Sequence, residues 1–258
     1  MMPEVSELCV LITGAGDSVG RVTAEKFLAA GASVHICDVR EDAVQATLDA
    51  NPGLGGTVCN VGDIADVDRL FADAFAAMGR VDVLVNCVGI AGPRALLEDI
   101  SDEDWQTSMQ VNVTGMFYTM KRAIPGMKER RFGAIVNFSS SSTITRLPSR
   151  SAYIVSKYAV EGLTMNAARE LGPFNVRCNA ILPGAINNDR MNMVMESGAK
   201  EAGVTLEEYE KESLRYISMQ TKIEPEELAD AVYYLATDTA PHVTGVLLQV
   251  AGGPEWEP

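Results

Sequence analysis

The sequence predicts an α/β fold with one doubly wound parallel sheet and helices on both faces, and three observations carry that prediction. Short apolar runs alternate with amphipathic segments along the chain, as expected where helices cross between parallel strands. The first run, residues 8–12, ends in a glycine-rich turn, and the second, residues 33–37, ends in an acidic residue. Right-handed crossovers bring the C-terminal ends of such strands to one edge of the sheet, where doubly wound folds bind ligands. The 258 residues, 47% of them apolar, suffice for one large domain spanning 1–258.

Charge and cysteine content narrow the function classes. With 35 acidic against 21 basic residues the net charge is −14, which opposes binding to nucleic acid or an anionic membrane. The N-terminus lacks a basic stretch followed by an apolar core, and no later segment is apolar for the eighteen or so residues of a membrane span, so a soluble cytoplasmic protein is expected. The five cysteines (Cys9, Cys37, Cys59, Cys87 and Cys178) sit in or beside predicted strands and read as reduced, buried small hydrophobes. No CxxC or His-x-x-x-His pair suggests a metal site.

The first strand runs into Thr13-Gly14-Ala15-Gly16-Asp17-Ser18-Val19-Gly20, and an amphipathic stretch follows to Ala30. Strand, glycine turn and helix start let backbone N–H groups approach a pyrophosphate closely, which makes Gly14, Asp17, Ser18, Val19 and Gly20 candidate dinucleotide contacts. Asp38 closes the second strand 18 residues beyond Gly20. A carboxylate there accepts both adenosine ribose hydroxyls and repels a 2′-phosphate, so NAD is expected over NADP. Arg40 is the counter-signal, offset by the further negative charge of Asp17.

Residues 56–61 form the third expected strand, with Asn60 and Val61 at its end, and a helix over 66–78 closes at Gly79. The fourth strand is expected over 81–89 and carries Asn86 and Gly89 into a loop with Arg94 at the mouth of the site. A long helical pattern runs from Ser101 to about Arg131, with Asn112 in its middle, where a helix gains nothing from asparagine.

The apolar run 134–138 reads as a buried strand ending at Ser139 and Ser140. A helix from Ser149 to Gly172 then places Tyr153 and Lys157 four residues apart on one face. A free phenol, with a pKa of about 10, is a poor base near neutrality, and a lysine cation one turn away favours the phenolate. Tyr153 is therefore a candidate proton acceptor, and Ser140 a hydroxyl able to hold a substrate oxygen.

A sixth strand over 175–182 ends in Pro183-Gly184. Residues 185–220, with Met191, Met193 and Met195, form a segment expected to lid the substrate, the methionines serving either as an adaptable wall or as helix packing. Arg94, Arg146 and Arg190, with Ser142 and Asn187, are the candidate substrate contacts; the arginines read either as a site for an anionic substrate or as scattered surface charge. Glu224-Pro225-Glu226-Glu227 opens the last helix and residues 243–250 form the closing strand. The tail Pro254-Glu255-Trp256 reads either as a contact to a neighbouring subunit or as unordered chain.

Ser140, Tyr153-x-x-x-Lys157, the glycine turn and Asn86-Cys87-Val88-Gly89 together resemble the short-chain dehydrogenase/reductase family over nearly the whole chain. The resemblance implies a Rossmann fold and an NAD-dependent oxidoreductase moving a hydride between a nicotinamide and an alcohol, which is a secondary alcohol, sugar, polyol or hydroxy acid, or the matching ketone. It implies Asn112, Ser140, Tyr153 and Lys157 as the catalytic set, with Asn112 distorting its helix and holding a water linked to the lysine. Pro183, Gly184, Ile186 and Asn188 correspond to the loop around the nicotinamide. The helix carrying Tyr153 and the preceding long one correspond to a four-helix subunit interface, hence a homotetramer or homodimer.

The sequence departs from the family at several places. Ser18 stands for the middle glycine, so the turn is expected to relax or displace the phosphate, with Gly16 restoring some freedom. Asn60 stands for aspartate, Asn188 for threonine, and Ala251 for the aspartate before Gly252-Gly253. Three other readings remain: an NADPH-dependent ketone reductase, a serine hydrolase and a non-catalytic nucleotide sensor. The hydrolase rests on Gly16-Asp17-Ser18-Val19-Gly20, which matches a nucleophile elbow with Asp238 and His242 downstream, but it follows the first strand with no room for an upstream oxyanion loop. The sensor has no use for the Ser140, Tyr153, Lys157 and Asn112 set.

Overall fold

The computed structural model of the chain describes residues 4–254; Trp256 and the end of the tail lie outside them. Seven parallel strands form one sheet in the order β3-β2-β1-β4-β5-β6-β7. They are β1 (Cys9–Thr13), β2 (Ser33–Asp38), β3 (Gly55–Val58), β4 (Val83–Asn86), β5 (Gly133–Phe138), β6 (Val176–Pro183) and β7 (Leu247–Val250). The order reverses at β1, so the chain winds outward in both directions and leaves a crevice between the C-terminal ends of β1 and β4.

Every residue of β1, β4, β5 and β6 is buried, because helices cover both faces of the sheet. Alternation along β1 sorts its side chains into two cores. Val10 and Ile12 pack with Phe27 of α1 (Ser18–Ala29) and with Leu228, Val232 and Leu235 of α10 (Pro225–Ala236). Leu11 faces Leu70 of α3 (Ile64–Met78), Met120 and Met127 of α5 (Gly115–Arg130), and Leu171 of α7 (Ser151–Leu171). Each fully buried side chain of this size contributes roughly 1.5–3 kcal/mol relative to its exposed state.

Helix ends follow local chemistry. Asp63 accepts from the N–H groups of Ala65 and Asp66 to start α3, which stops at Gly79 with φ 77°, a left-handed cap. The remaining helices are α2 (Glu41–Ala50), α4 (Asp102–Met109), α6 (Ser142–Thr145), α8 (Asp189–Ala202) and α9 (Leu206–Leu214).

Three strands are shorter than the apolar runs imply. β3 stops at Val58 because Asn60 Oδ1 accepts from Gly62 N at 3.0 Å, folding the chain into a turn of its own. β4 spans only Val83–Asn86, its neighbours β1 and β5 offering pairing over those residues. β7 begins at Leu247 because Gly245 has φ 75° and the side chains of Asn179 and Thr244 stand in for strand pairing before it, accepting from Val246 N and Cys178 N. The long helical pattern is also broken: a π-helical turn, Gln110–Thr114, separates α4 from α5.

All five cysteines are free thiols, and none of the described helices is long and apolar enough to cross a membrane.

Candidate active site

The ends of β4, β5 and β6 and the first turns of α7 and α8 surround one cleft, and Tyr153 and Lys157 stand in it on the same face of α7. The Lys157 ammonium is buried, donates to Phe138 O at 2.8 Å and lies 5.6 Å from the Tyr153 ring centroid. Gly89 lies close beside it, where a Cβ would stand 3.1 Å from Lys157 Nζ. Burial pushes the Tyr153 phenol up, but Lys157, a hydrogen bond to Ser140, Arg150 and Arg190 together outweigh it and hold its pKa below the usual tyrosine value.

Ser140 sits just past β5, its Oγ accepting from Ser142 N at 3.1 Å and donating to Ser142 Oγ at 3.1 Å. The loop around it is fixed from beneath: Glu161 Oε1, buried in α7, accepts from Ser139 Oγ at 2.7 Å and Thr143 Oγ1 at 2.8 Å. Sequence reasoning overlooked Glu161; its signal was an acid eight residues beyond Tyr153 on an otherwise apolar stretch.

Asn112 lies buried within the π turn. Its Oδ1 accepts from Ile90 N at 2.8 Å, while Nδ2 donates to Ile90 O at 3.0 Å and to Ser156 Oγ at 2.9 Å. A distorted helix thus ties the loop after β4 to α7, and the polar residue expected to be costly in a helix has a partner for each amide hydrogen.

Ser18 stands in the glycine turn in the left-handed conformation, φ 46°. Gly16 supplies close approach in place of freedom, because a Cβ would stand 2.8 Å from Ala43 Cβ and 3.0 Å from Asp38 Cγ. A Cβ on Gly20 would meet Gly14 O at 2.2 Å, so α1 is pressed directly onto the turn. The first-turn N–H groups of Ser18, Val19 and Gly20 precede the first intrahelical bond, from Arg21 N to Asp17 O at 3.1 Å, and form a donor set suited to a pyrophosphate. Ser18 Oγ accepts from Asn188 Nδ2 at 2.9 Å, while Asn188 Oδ1 caps α8 by accepting from Met191 N at 2.9 Å.

Asp38 is buried at the end of β2, accepting from Gly16 N and Arg40 N, both at 3.1 Å. Arg40 Nη2 pairs with Asp17 at 2.5 Å and its Nε lies 3.6 Å from Asp38, so two carboxylates meet the one cation near the ribose position. The donor groups of this turn and the carboxylate at this strand end suit a dinucleotide.

The other expected contacts lie as follows. The Asn86 side chain is turned inward, donating to Asn137 Oδ1 at 2.9 Å and accepting from Thr119 Oγ1 at 2.7 Å. Asn60 is exposed with Val61 buried behind it. Asn187 is held by the Glu224 carboxylate at 2.9 and 3.2 Å. Pro183 ends β6, Gly184 follows it against Ala251, and Ile186 pairs with Ile223. Of the three methionines only Met195 is buried.

Arg146 donates to the Tyr158 hydroxyl at 2.9 Å, both being exposed, and stays apart from the charges around Tyr153. Arg190 reaches Gly89 O at 3.0 Å, and Arg150, missed in the sequence, stacks 4.6 Å from the Tyr153 ring centroid. Its signal was an arginine three residues before Tyr153, at a spacing that shares a helix face. The elbow reading of Ser18 finds no base: His35 Nε2 is bonded to Thr57 at 2.9 Å, and exposed His242 makes no hydrogen bond to Ser18.

Comparison with known proteins matches residues 14–255 to the family model described as enoyl-(acyl carrier protein) reductase. The 2,5-dichloro-2,5-cyclohexadiene-1,4-diol dehydrogenase of Sphingobium indicum is 35% identical over 98% of this chain and 98% of its own. The trans-4-hydroxycyclohexanecarboxylate dehydrogenase of Sinomonas cyclohexanicum is 32% identical over 96% of this chain and 93% of its own. The solved structure of an NAD+-bound xylitol dehydrogenase superposes with a TM-score of 0.90 at 27% identity, covering 97% of this chain and all of that one, 100%.

Proposed function

The chain belongs to the short-chain dehydrogenase/reductase family of oxidoreductases, and from that premise we propose that it is an NAD-dependent dehydrogenase of secondary alcohols. The observation that carries this reading is the Tyr153–Lys157 pair with Ser140 at the phenol and Asn112 anchored behind it. The relatives named for cyclic alcohols support a small hydroxylated substrate and its ketone.

The chemistry a nicotinamide supplies when bound is acceptance or return of a hydride. The chain's own residues handle the proton. Ser140 Oγ steadies the substrate oxygen, and Tyr153, its ionisation eased by Lys157, takes the hydroxyl proton in oxidation and returns it in reduction. Lys157 also holds the nicotinamide ribose. Asn112 Oδ1, with one lone pair engaged by Ile90, has the second for a water through which the proton leaves.

The N–H groups of Ser18, Val19 and Gly20 hold the pyrophosphate and Asp38 the adenosine ribose, with Gly14, Asn60, Val61, Asn86, Gly89, Pro183, Gly184, Ile186 and Asn188 lining the rest of the cofactor's path. Neutralisation of Arg40 by Asp17 and Asp38 supports NAD over NADP. The protein is one domain over 1–258 with a lid at 185–220. It assembles as a homotetramer or dimer through α5 and α7, where Phe117, Val155, Tyr158 and Met165 are exposed. Free thiols support a reducing, cytoplasmic setting.

NADH formation from NAD across secondary alcohols, sugars, polyols and hydroxy acids tests the reading, with Tyr153→Phe as control. Turnover should fall at least about 100-fold in the variant while NADH still binds. Substantial residual turnover would sink the role given to Tyr153.

A further inference from the structure

We propose that Arg94, Arg150 and Arg190 form an anion-binding rim over Tyr153, and that the substrate is an alcohol, or its ketone, carrying an anionic oxyacid group such as a carboxylate or phosphate ester. The inference rests on the dehydrogenase reading and adds to it the charge of the substrate.

The three arginines come from separate segments: the loop after β4, the residue before α7 and the first turn of α8. Arg150 is half-buried, with its guanidinium 4.6 Å from the Tyr153 ring centroid. Arg190 Nη1 is anchored to Gly89 O at 3.0 Å, on the residue that lies against Lys157 Nζ. Arg94 occupies the same loop as Gly89 and Ile90, which Asn112 pins to α7 through the Ile90 backbone and Ser156.

None of the three has a carboxylate oxygen within 4.0 Å among the described residues, whereas Arg40, Arg80, Arg122 and Arg130 each meet an aspartate. In a chain with 35 acidic and 21 basic residues, clustered arginines without acidic partners stand out. Burial lowers the Arg150 pKa; Tyr153 raises it, and Arg94 and Arg190 lower it further, with no carboxylate among these groups. Asp189, next to Arg190, is exposed at the start of α8 and makes no ion pair with it, and Asp17 and Asp38 are engaged with Arg40 at the far side of the glycine turn. Gathering these cations costs free energy through their mutual repulsion and the partial desolvation of Arg150. An arriving oxyanion removes that cost, and guanidinium forks match its geometry in two parallel hydrogen bonds.

The test is titration calorimetry on the NADH-loaded protein with cyclohexanecarboxylate, its carboxamide, and cyclohexyl phosphate, alongside turnover of hydroxy acids and of their methyl esters. The charged probes should bind at least tenfold more tightly than the amide, with the stronger of the two identifying the oxyacid. Hydroxy acids should exceed their esters tenfold in kcat/KM. Arg150→Gln and Arg190→Gln should each erase the preference for acid over ester, lower turnover of both alike through the less readily ionised Tyr153, and leave NADH affinity within twofold. Equal binding of amide and acid, failure of every probe to bind, or ester turnover matching the acid would overturn the anion rim while leaving the dehydrogenase reading intact. Loss of NADH affinity in parallel with acid affinity would reassign the arginines to the cofactor and overturn it too. Acid binding without Tyr153-dependent turnover of any substrate would overturn the dehydrogenase reading, and with it the assignment of the anion to a substrate.

Discussion

Asn188 and Ser18, 170 positions apart, are joined by a 2.9 Å hydrogen bond that fastens the start of α8 to the glycine turn. Both residues depart from the family pattern, and the two departures meet. Ser18 presents its hydroxyl to Asn188 from a left-handed backbone conformation. The same carboxamide caps α8, so one side chain sets both the first turn of that helix and its attachment.

Removing the link should loosen the start of α8 before it unfolds the domain. Asn188→Ala loses a cap worth about 1 kcal/mol as well as the Ser18 contact. Hydrogen exchange at residues 189–195 should accelerate in Asn188→Ala and, less so, in Ser18→Gly, which loses the hydroxyl but gains a residue at ease with positive φ. Unchanged protection of that turn in both variants would refute the link.

Cofactor choice should follow the two carboxylates around Arg40. The wild-type protein is expected to favour NAD over NADP at least tenfold in kcat/KM, and Asp38→Ser should narrow that ratio by about a further factor of ten, since a lost carboxylate is worth of order 1–3 kcal/mol against a phosphate. Asp17→Ala combined with Asp38→Ser, which frees Arg40 of both partners, should narrow it more. Equal efficiency with the two cofactors in the wild type would overturn the assignment.

The pH profile should report Tyr153. Alcohol oxidation needs the phenolate, so kcat/KM should rise with pH and level off once the residue is ionised; ketone reduction needs the phenol and should fall through the same pKa. Burial opposes ionisation, but Lys157, Ser140, Arg150 and Arg190 outweigh it, so the oxidation limb should end below the ordinary tyrosine value of about 10. Lys157→Met should shift whatever activity remains toward higher pH; a limb that stays in place would separate it from the tyrosine.

Glu161 should act as a positioning residue for Ser140. Glu161→Ala removes the carboxylate that Ser139 and Thr143 share and leaves their hydroxyls only the carbonyls of Lys157 and Ser140, a loss of about 1 kcal/mol in stability. Glu161→Gln keeps a carbonyl acceptor and should recover most of that stability. If the residue positions Ser140, kcat should fall in Glu161→Ala with NADH affinity unchanged and be restored in part by glutamine. A variant that merely unfolds earlier, with kcat intact below its melting temperature, would reduce the role to packing.

The fold was legible in the sequence, as was the placement of Tyr153 and Lys157 on one helix face and of Asn112 inside a helix, because these rest on local patterns: apolar runs for strands, a four-residue spacing for a shared helix face, an asparagine where a helix wants none. A linear pattern also placed Ser140 and Asp38 at strand ends, since strands of a parallel sheet share one C-terminal edge. Strand ends were less legible, because β3 and β7 stop where Asn60, Asn179 and Thr244 bond backbone groups in place of a neighbouring strand. Only the tertiary structure decided which polar side chains face the cleft. It turned Asn86 toward Asn137, drew Arg146 to Tyr158 and Asn187 to Glu224, and set Arg150 over Tyr153. Those choices depend on partners far apart in the chain, and a side chain's direction is fixed by which distant donor or acceptor the packing brings within hydrogen-bond range.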